Sequence, residues 1–101
     1  MGQSVEFNWV LKLTEEQGMP KTISEGQIYS FKKKGSRVYP AGIPIHLVDA
    51  AFTAIGLAVV DEYTVRRART SGIFRILKIY DGEEKKLLTE NLRERYAQDD
   101  R

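Results

Sequence analysis

The chain has 101 residues, no cysteine, a single histidine and a formal net charge of +2. That length supports one core and one domain, in which roughly 60 to 70% of the unfolded surface becomes buried. The absence of cysteine excludes disulfides, thiolate metal centres and a cysteine nucleophile, and it suits a reducing compartment.

With 42% hydrophobic and 30% charged residues, the composition is that of a folded domain with no low-complexity tract. Residues 1–97 read as a single β-barrel-like domain and residues 98–101 as a frayed tail. Charges interrupt MGQSVEFNWVLKL before any apolar run reaches signal-peptide length, and no stretch approaches the roughly 20 apolar residues of a membrane span. Gly2 and Ser4 only faintly match a myristoylation signal, because position 6 is Glu6 rather than Ser or Thr. The expectation is a cytoplasmic protein that does not contact the membrane. Charge is uneven along the chain: residues 1–20 carry −2, residues 21–80 carry +6 and residues 81–101 carry −2.

Val5, Phe7, Trp9, Leu11 and Leu13 alternate with Glu6, Asn8, Val10 and Lys12, a period of two that predicts a strand with one face in the core. TEEQGMP is a turn, with Gly18 free to adopt positive φ and Pro20 biasing Met19 toward extended backbone. A second strand runs from about Gln27 to Lys33, and Lys34-Gly35-Ser36 reverses it. RVYPAGIPIHLVD holds Pro40 and Pro44 in a β-rich pattern, which predicts an edge or a bulge because proline donates no ladder hydrogen bond.

After a turn from Asp49 to Thr53, TAIGLAVVDEYTV predicts a long central strand in which Gly56 marks a bulge or close backbone approach. RARTSG then leads to a hairpin partner, IFRILKIY, with apolar residues on both faces. Asp81, followed by Glu84, has the form of a helix start, and Leu88, Leu92 and Tyr96 recur on one helical face beside Leu87. A last short strand over KKLLT, with Thr89 capping a shorter helix, is the alternative. The predicted fold is mainly β (α+β): a five- or six-stranded antiparallel barrel or strongly bent sheet with one C-terminal amphipathic helix.

His46 is the sole histidine, so a histidine-based metal site within one chain is not supported, and no nucleophile neighbours it in sequence. Asp49, three residues on, is in reach to orient it. Asp61-Glu62 and Glu83-Glu84 are adjacent pairs that project to different sides and read as solvated carboxylates. No glycine pattern matches a phosphate-cradling loop. The sequence therefore implies no enzyme, cofactor or metal.

The basic residues give a direction. Lys32, Lys33, Lys34 and Arg37 gather at one turn, and Arg66, Arg67 and Arg69 at another. Brought together, they would form a patch that attracts phosphates through counterion release. Tyr39 and Tyr63 are the expected stacking groups for unpaired bases. The competing account is that charged turns keep a small β-domain soluble and its edges unpaired. A second direction is a protein-interaction or assembly module, using the proline-kinked segment from Tyr39 to Phe52 as an apolar edge.

Over residues 24–80, the order KKKGSRVYPAGIPIHLVD, IGLAVVDEYTV, FRILKIY resembles small barrels of the pseudouridine synthase and archaeosine transglycosylase (PUA) type, including their ASCH relatives. Counted from Gly26, the ASCH signature retains its glycine and a final basic residue at Lys33, with Ile28 and Phe31 at the intervening positions. This resemblance implies a compact β-barrel and RNA as a partner. VEFNW with YP and IPI is also similar to a small uncharacterised bacterial family, a domain of unknown function, which implies no activity.

Overall fold

The computed structural model describes residues 7–96. Five strands and a helix follow one another: β1 (Val10–Lys12), β2 (Ile28–Lys34), β3 (Pro44–Val48), β4 (Ala54–Arg66), β5 (Arg69–Ile79) and α1 (Gly82–Tyr96). The expected tail over 98–101, and the start of the first strand at residues 5 and 6, lie outside the described residues.

The strands form one curled half-barrel sheet in the order β1-β3-β4-β5-β2, with the helix added at the C-terminus, as the pattern predicts. One pairing departs from the antiparallel expectation: β1 runs parallel to β3, with Val10 opposite His46 and Lys12 opposite Val48. β2 intervenes between them in sequence but lies at the far edge of the sheet, so the connection is a long crossover rather than a hairpin.

The first strand is shorter than its alternation suggests. Asn8 donates its amide to the Val38 carbonyl at 2.7 Å, so the chain has left the β3 ladder before Val10. Leu11 and Leu13 are buried on the inner face and Val10 on the outer face, whereas Phe7 and Trp9 are exposed. Their expected place in the core is corrected. β3 is an interior strand, not an edge; its proline is tolerated because Pro44 is the first residue, opposite Val59 and beyond the reach of β1.

Two apolar clusters sit on opposite faces of the sheet. Leu11, Phe31, Tyr39, Leu47, Phe74 and Ile76 belong to the concave one. The other holds Val10, Val48, Phe52, Ala54 and Tyr80 together with Leu92 of α1, so the helix covers the outer face at the β1–β3 side. Thr89 anchors it further, its Oγ1 accepting the Ala54 amide at 2.9 Å. The helical reading of KKLLT holds, with acidic Glu83 and Glu84 in the first turn and Arg93 and Arg95 in the last, matching the helix dipole. Leu87 is exposed, while Leu88 and Tyr96 pack on the outer cluster.

Between β1 and β2 the sheet stays open but is bridged. The Lys32 amide donates to the Gln17 carbonyl at 2.8 Å, and the Lys33 ammonium donates to the Lys12 carbonyl. At Gly56 a Cβ would collide with the Lys78 carbonyl oxygen, and the β3–β4 register shifts beside it; this is the close approach the sequence predicts.

Candidate nucleic-acid interface

β4 and β5 form a long hairpin closed by only two residues, Arg67 and Ala68. Both have positive φ, 51° and 59°, the mirror-image turn that suits the twist of a hairpin. Neither residue is of the Asn-Gly type that favours this backbone, so the turn is strained and the strand begins earlier than Ile73. The Gly35 amide, at the end of β2, donates to the Ala68 carbonyl at 2.7 Å. The two basic segments therefore meet at one end of the sheet.

Register then decides which cations share a face. Lys34 is opposite Arg69 across the β2–β5 ladder, and Arg69 is opposite Arg66 across β5–β4. Directly opposed residues point the same way, so these three form a cationic row across three strands. The next row holds Lys32, Ser71 and Thr64, all exposed. Arg67 adds a charge at the turn tip. Both rows lie on the face opposite Phe31 and Phe74, beyond the region that α1 covers. Below them, Ser30, Ile73 and Glu62 continue a shallow trough of about 450 Å³.

Lys33, Arg37 and Tyr39 are not on this surface. Lys33 alternates inward, is 4% exposed and is bound to the Lys12 carbonyl, so its assignment to phosphate is corrected. Arg37 is half-buried; its guanidinium donates to the Lys34 carbonyl from Nε at 3.2 Å and Nη2 at 3.1 Å, and its amide donates to Thr70 Oγ1 at 2.8 Å. It shapes the turn from within. Tyr39 is 2% exposed and cannot receive a base; burial pushes its hydroxyl pKa up to about 12. Tyr63 packs edge-on against it, centroids 5.6 Å apart, and its hydroxyl accepts the Tyr39 amide at 3.1 Å. The stacking assignment of Tyr39 is corrected, because inward alternation commits its ring to the core; Tyr63 is half-buried, packs against the same core and also lines the trough.

The apolar edge expected from Tyr39 to Phe52 is also corrected. Tyr39, Pro40 and Phe52 are buried, and Ile43 is the large apolar side chain left exposed in that span. Phe52 holds a positive φ of 62° in the turn before β4, with the Lys12 ammonium 4.9 Å from its ring centre.

His46 lies on the outer face and meets Tyr80 rather than Asp49: its Nδ1 is 2.9 Å from the Tyr80 hydroxyl. Asp49 instead accepts the amides of Ala51 and Thr53, each at 2.9 Å, and shapes its own turn. Burial holds the His46 pKa below its usual value. An open cleft of about 590 Å³ between His46 and α1 is lined also by Leu88, Asn91, Leu92, Glu94 and Arg95. Among the described residues no group of three or more His, Asp or Glu side chains is placed to hold a metal. Asp61 pairs with Arg75 at 3.4 Å and Glu84 with Lys78 at 2.8 Å, both at the surface. Among the described residues no helix is long and apolar enough to cross a membrane.

Sequence reasoning missed one feature. Phe7 and Trp9 are 39% and 47% exposed, and their ring centroids are 5.9 Å apart. The alternation that continues into Leu11 and Leu13 disguises them as core residues.

No protein-family model matches the chain, and no curated protein sequence does. Among solved structures, the crystal structure of protein ytmB from Bacillus subtilis is similar: 30% identical, with a TM-score of 0.60, covering 79% of this chain and 95% of that one.

Proposed function

We propose, for a chain that belongs to the same family as ytmB of Bacillus subtilis, that it binds nucleic acid through the cationic end of its half-barrel. RNA is the favoured partner, and the cytoplasm the favoured compartment. It acts by binding rather than by catalysis. The observation that carries this reading is the row Lys34, Arg69 and Arg66.

Like charges directly opposite one another across a ladder destabilise a sheet, each pair by up to about 1 kcal/mol. No acidic side chain among the described residues forms an ion pair with Lys32, Lys34, Arg66, Arg67 or Arg69. Two non-glycine residues held at positive φ add further cost at the same place. A row of phosphates would relieve the repulsion and give the strained tip a purpose. Lys32, Lys34, Arg66, Arg67 and Arg69 are the phosphate-contacting residues in this reading.

Binding of a labelled single-stranded RNA, followed over a range of salt, is the test. Five phosphate contacts predict a log–log slope of about −3 to −4. Binding that is insensitive to salt, or absent at low salt, contradicts the proposal.

A further inference from the structure

The cationic row accounts for an attraction to phosphate, which RNA and DNA share. What lies beside it on the same face separates the two. We propose that the trough next to the row reads the ribose: its hydroxyl side chains and the Glu62 carboxylate bond the 2′-hydroxyl groups of an RNA strand and discriminate against DNA. This rests on the nucleic-acid reading above.

Register sets the order of the side chains. Lys34, Arg69 and Arg66 form the outermost row, Lys32, Ser71 and Thr64 the second, and Ser30, Ile73 and Glu62 the third. Opposed residues share a side, so all nine belong to one face, and successive rows follow at about 6 to 7 Å, two residues of strand. The second and third rows line the trough. Ser30, Ser71 and Thr64 are exposed, and none of their hydroxyls bonds to another described residue.

Glu62 is the group that phosphate binding alone does not account for. Its neighbour Asp61 is matched by Arg75 at 3.4 Å, whereas Glu62 is exposed with no cationic partner among the described residues. A carboxylate repels phosphate and only accepts hydrogen bonds. The face therefore favours an occupant that is anionic over the first two rows and offers a hydroxyl donor over the third. RNA has that pattern, since the phosphates alternate with riboses whose 2′-hydroxyl both donates and accepts. DNA lacks the donor, and Glu62 is then left with repulsion and no bond.

The experiment compares the affinity of the full chain for three labelled single strands of equal length, by anisotropy at one low salt concentration: oligouridylate, oligodeoxyuridylate and 2′-O-methyl oligouridylate. The ribose strand should bind about 10-fold or more tighter than the deoxy strand, the size of one hydrogen bond to a charged group. The methylated strand, which keeps the acceptor and loses the donor, should bind no better than the deoxy strand. Glu62→Ala should bring the ribose-to-deoxy ratio toward one, and Ser71→Ala with Thr64→Val should lower it. Glu62→Gln, an acceptor without charge, should keep part of it. Lys34→Glu should weaken all three strands alike and leave the ratio unchanged.

Circular dichroism confirms that each variant is folded, and the methylated strand tests the same contact without altering the protein. Equal affinity for ribose and deoxy strands, tighter binding of the deoxy strand, or a ratio unmoved by Glu62→Ala would overturn the ribose reading and leave the cationic site standing. Absence of binding to any of the three strands overturns both.

Discussion

Lys33 donates its ammonium to the carbonyl oxygen of Lys12, so a charged side chain 4% exposed ties the two outermost strands of an open sheet together. Its neighbours Lys32 and Lys34 point the other way, into solvent. Three consecutive lysines therefore divide into one structural residue and two available ones. Lys33→Glu would set a buried carboxylate against a carbonyl oxygen and should cost about 3 kcal/mol or more of stability. Lys34→Glu should leave stability unchanged or slightly raised by relieving repulsion from Arg69. Urea unfolding of the two variants separates them.

The hairpin tip gives a prediction of opposite sign. Arg67 and Ala68 both sit in left-handed backbone, which Asn-Gly adopts with little strain. Replacing the pair with Asn-Gly should stabilise the protein by about 1 kcal/mol or more, read as a higher urea midpoint. An unchanged or lower midpoint would show that the turn is not strained.

Thr89 is a buried polar link between helix and sheet. Thr89→Val keeps its shape and removes the acceptor of the buried Ala54 amide, which should cost about 1–3 kcal/mol. Hydrogen exchange at Ala54 should quicken in the variant.

The pH dependence of stability follows from two kinds of group. Burial lowers the His46 pKa, so the folded state disfavours the proton. Its contribution is fully present above the unfolded value of about 6.5 and is lost as pH falls below it. Tyr39 and Tyr80 are raised from 10.0 to about 12, chiefly by burial. Each favours the folded state fully below 10.0, and that contribution is lost as pH climbs toward 12. Urea midpoints should therefore fall on both sides, and His46→Gln should flatten the acid limb.

Much of this fold is legible in the sequence. Alternation in Tyr29 to Lys33 and the long apolar run after Thr53 mark strands, Gly18, Gly35 and Gly56 mark breaks and close approaches, and the Leu88, Leu92, Tyr96 spacing marks the helix. The parallel β1–β3 pair is not legible, because period two is the same in both pairings. The Arg67-Ala68 turn is hidden because nothing in those residue types announces positive φ. For the site, the cationic residues are legible but their sides are not: only the register shows that Lys33 turns inward while Lys34, Arg69 and Arg66 align. Tyr39 and Phe7 exchange expected places for a related reason, since burial depends on which strand covers a residue and not on its own period.

The central claim is that a particular face, and not net charge, holds nucleic acid. The most direct test compares two charge-reversed variants with equal net charge: Lys34→Glu with Arg66→Glu and Arg69→Glu, and a control with Lys21→Glu, Lys86→Glu and Arg95→Glu, all exposed positions. Anisotropy of a labelled single-stranded RNA at low salt should show binding lost in the first and kept close to wild type in the control. Equal loss in both, or retained binding in the first, would contradict the account.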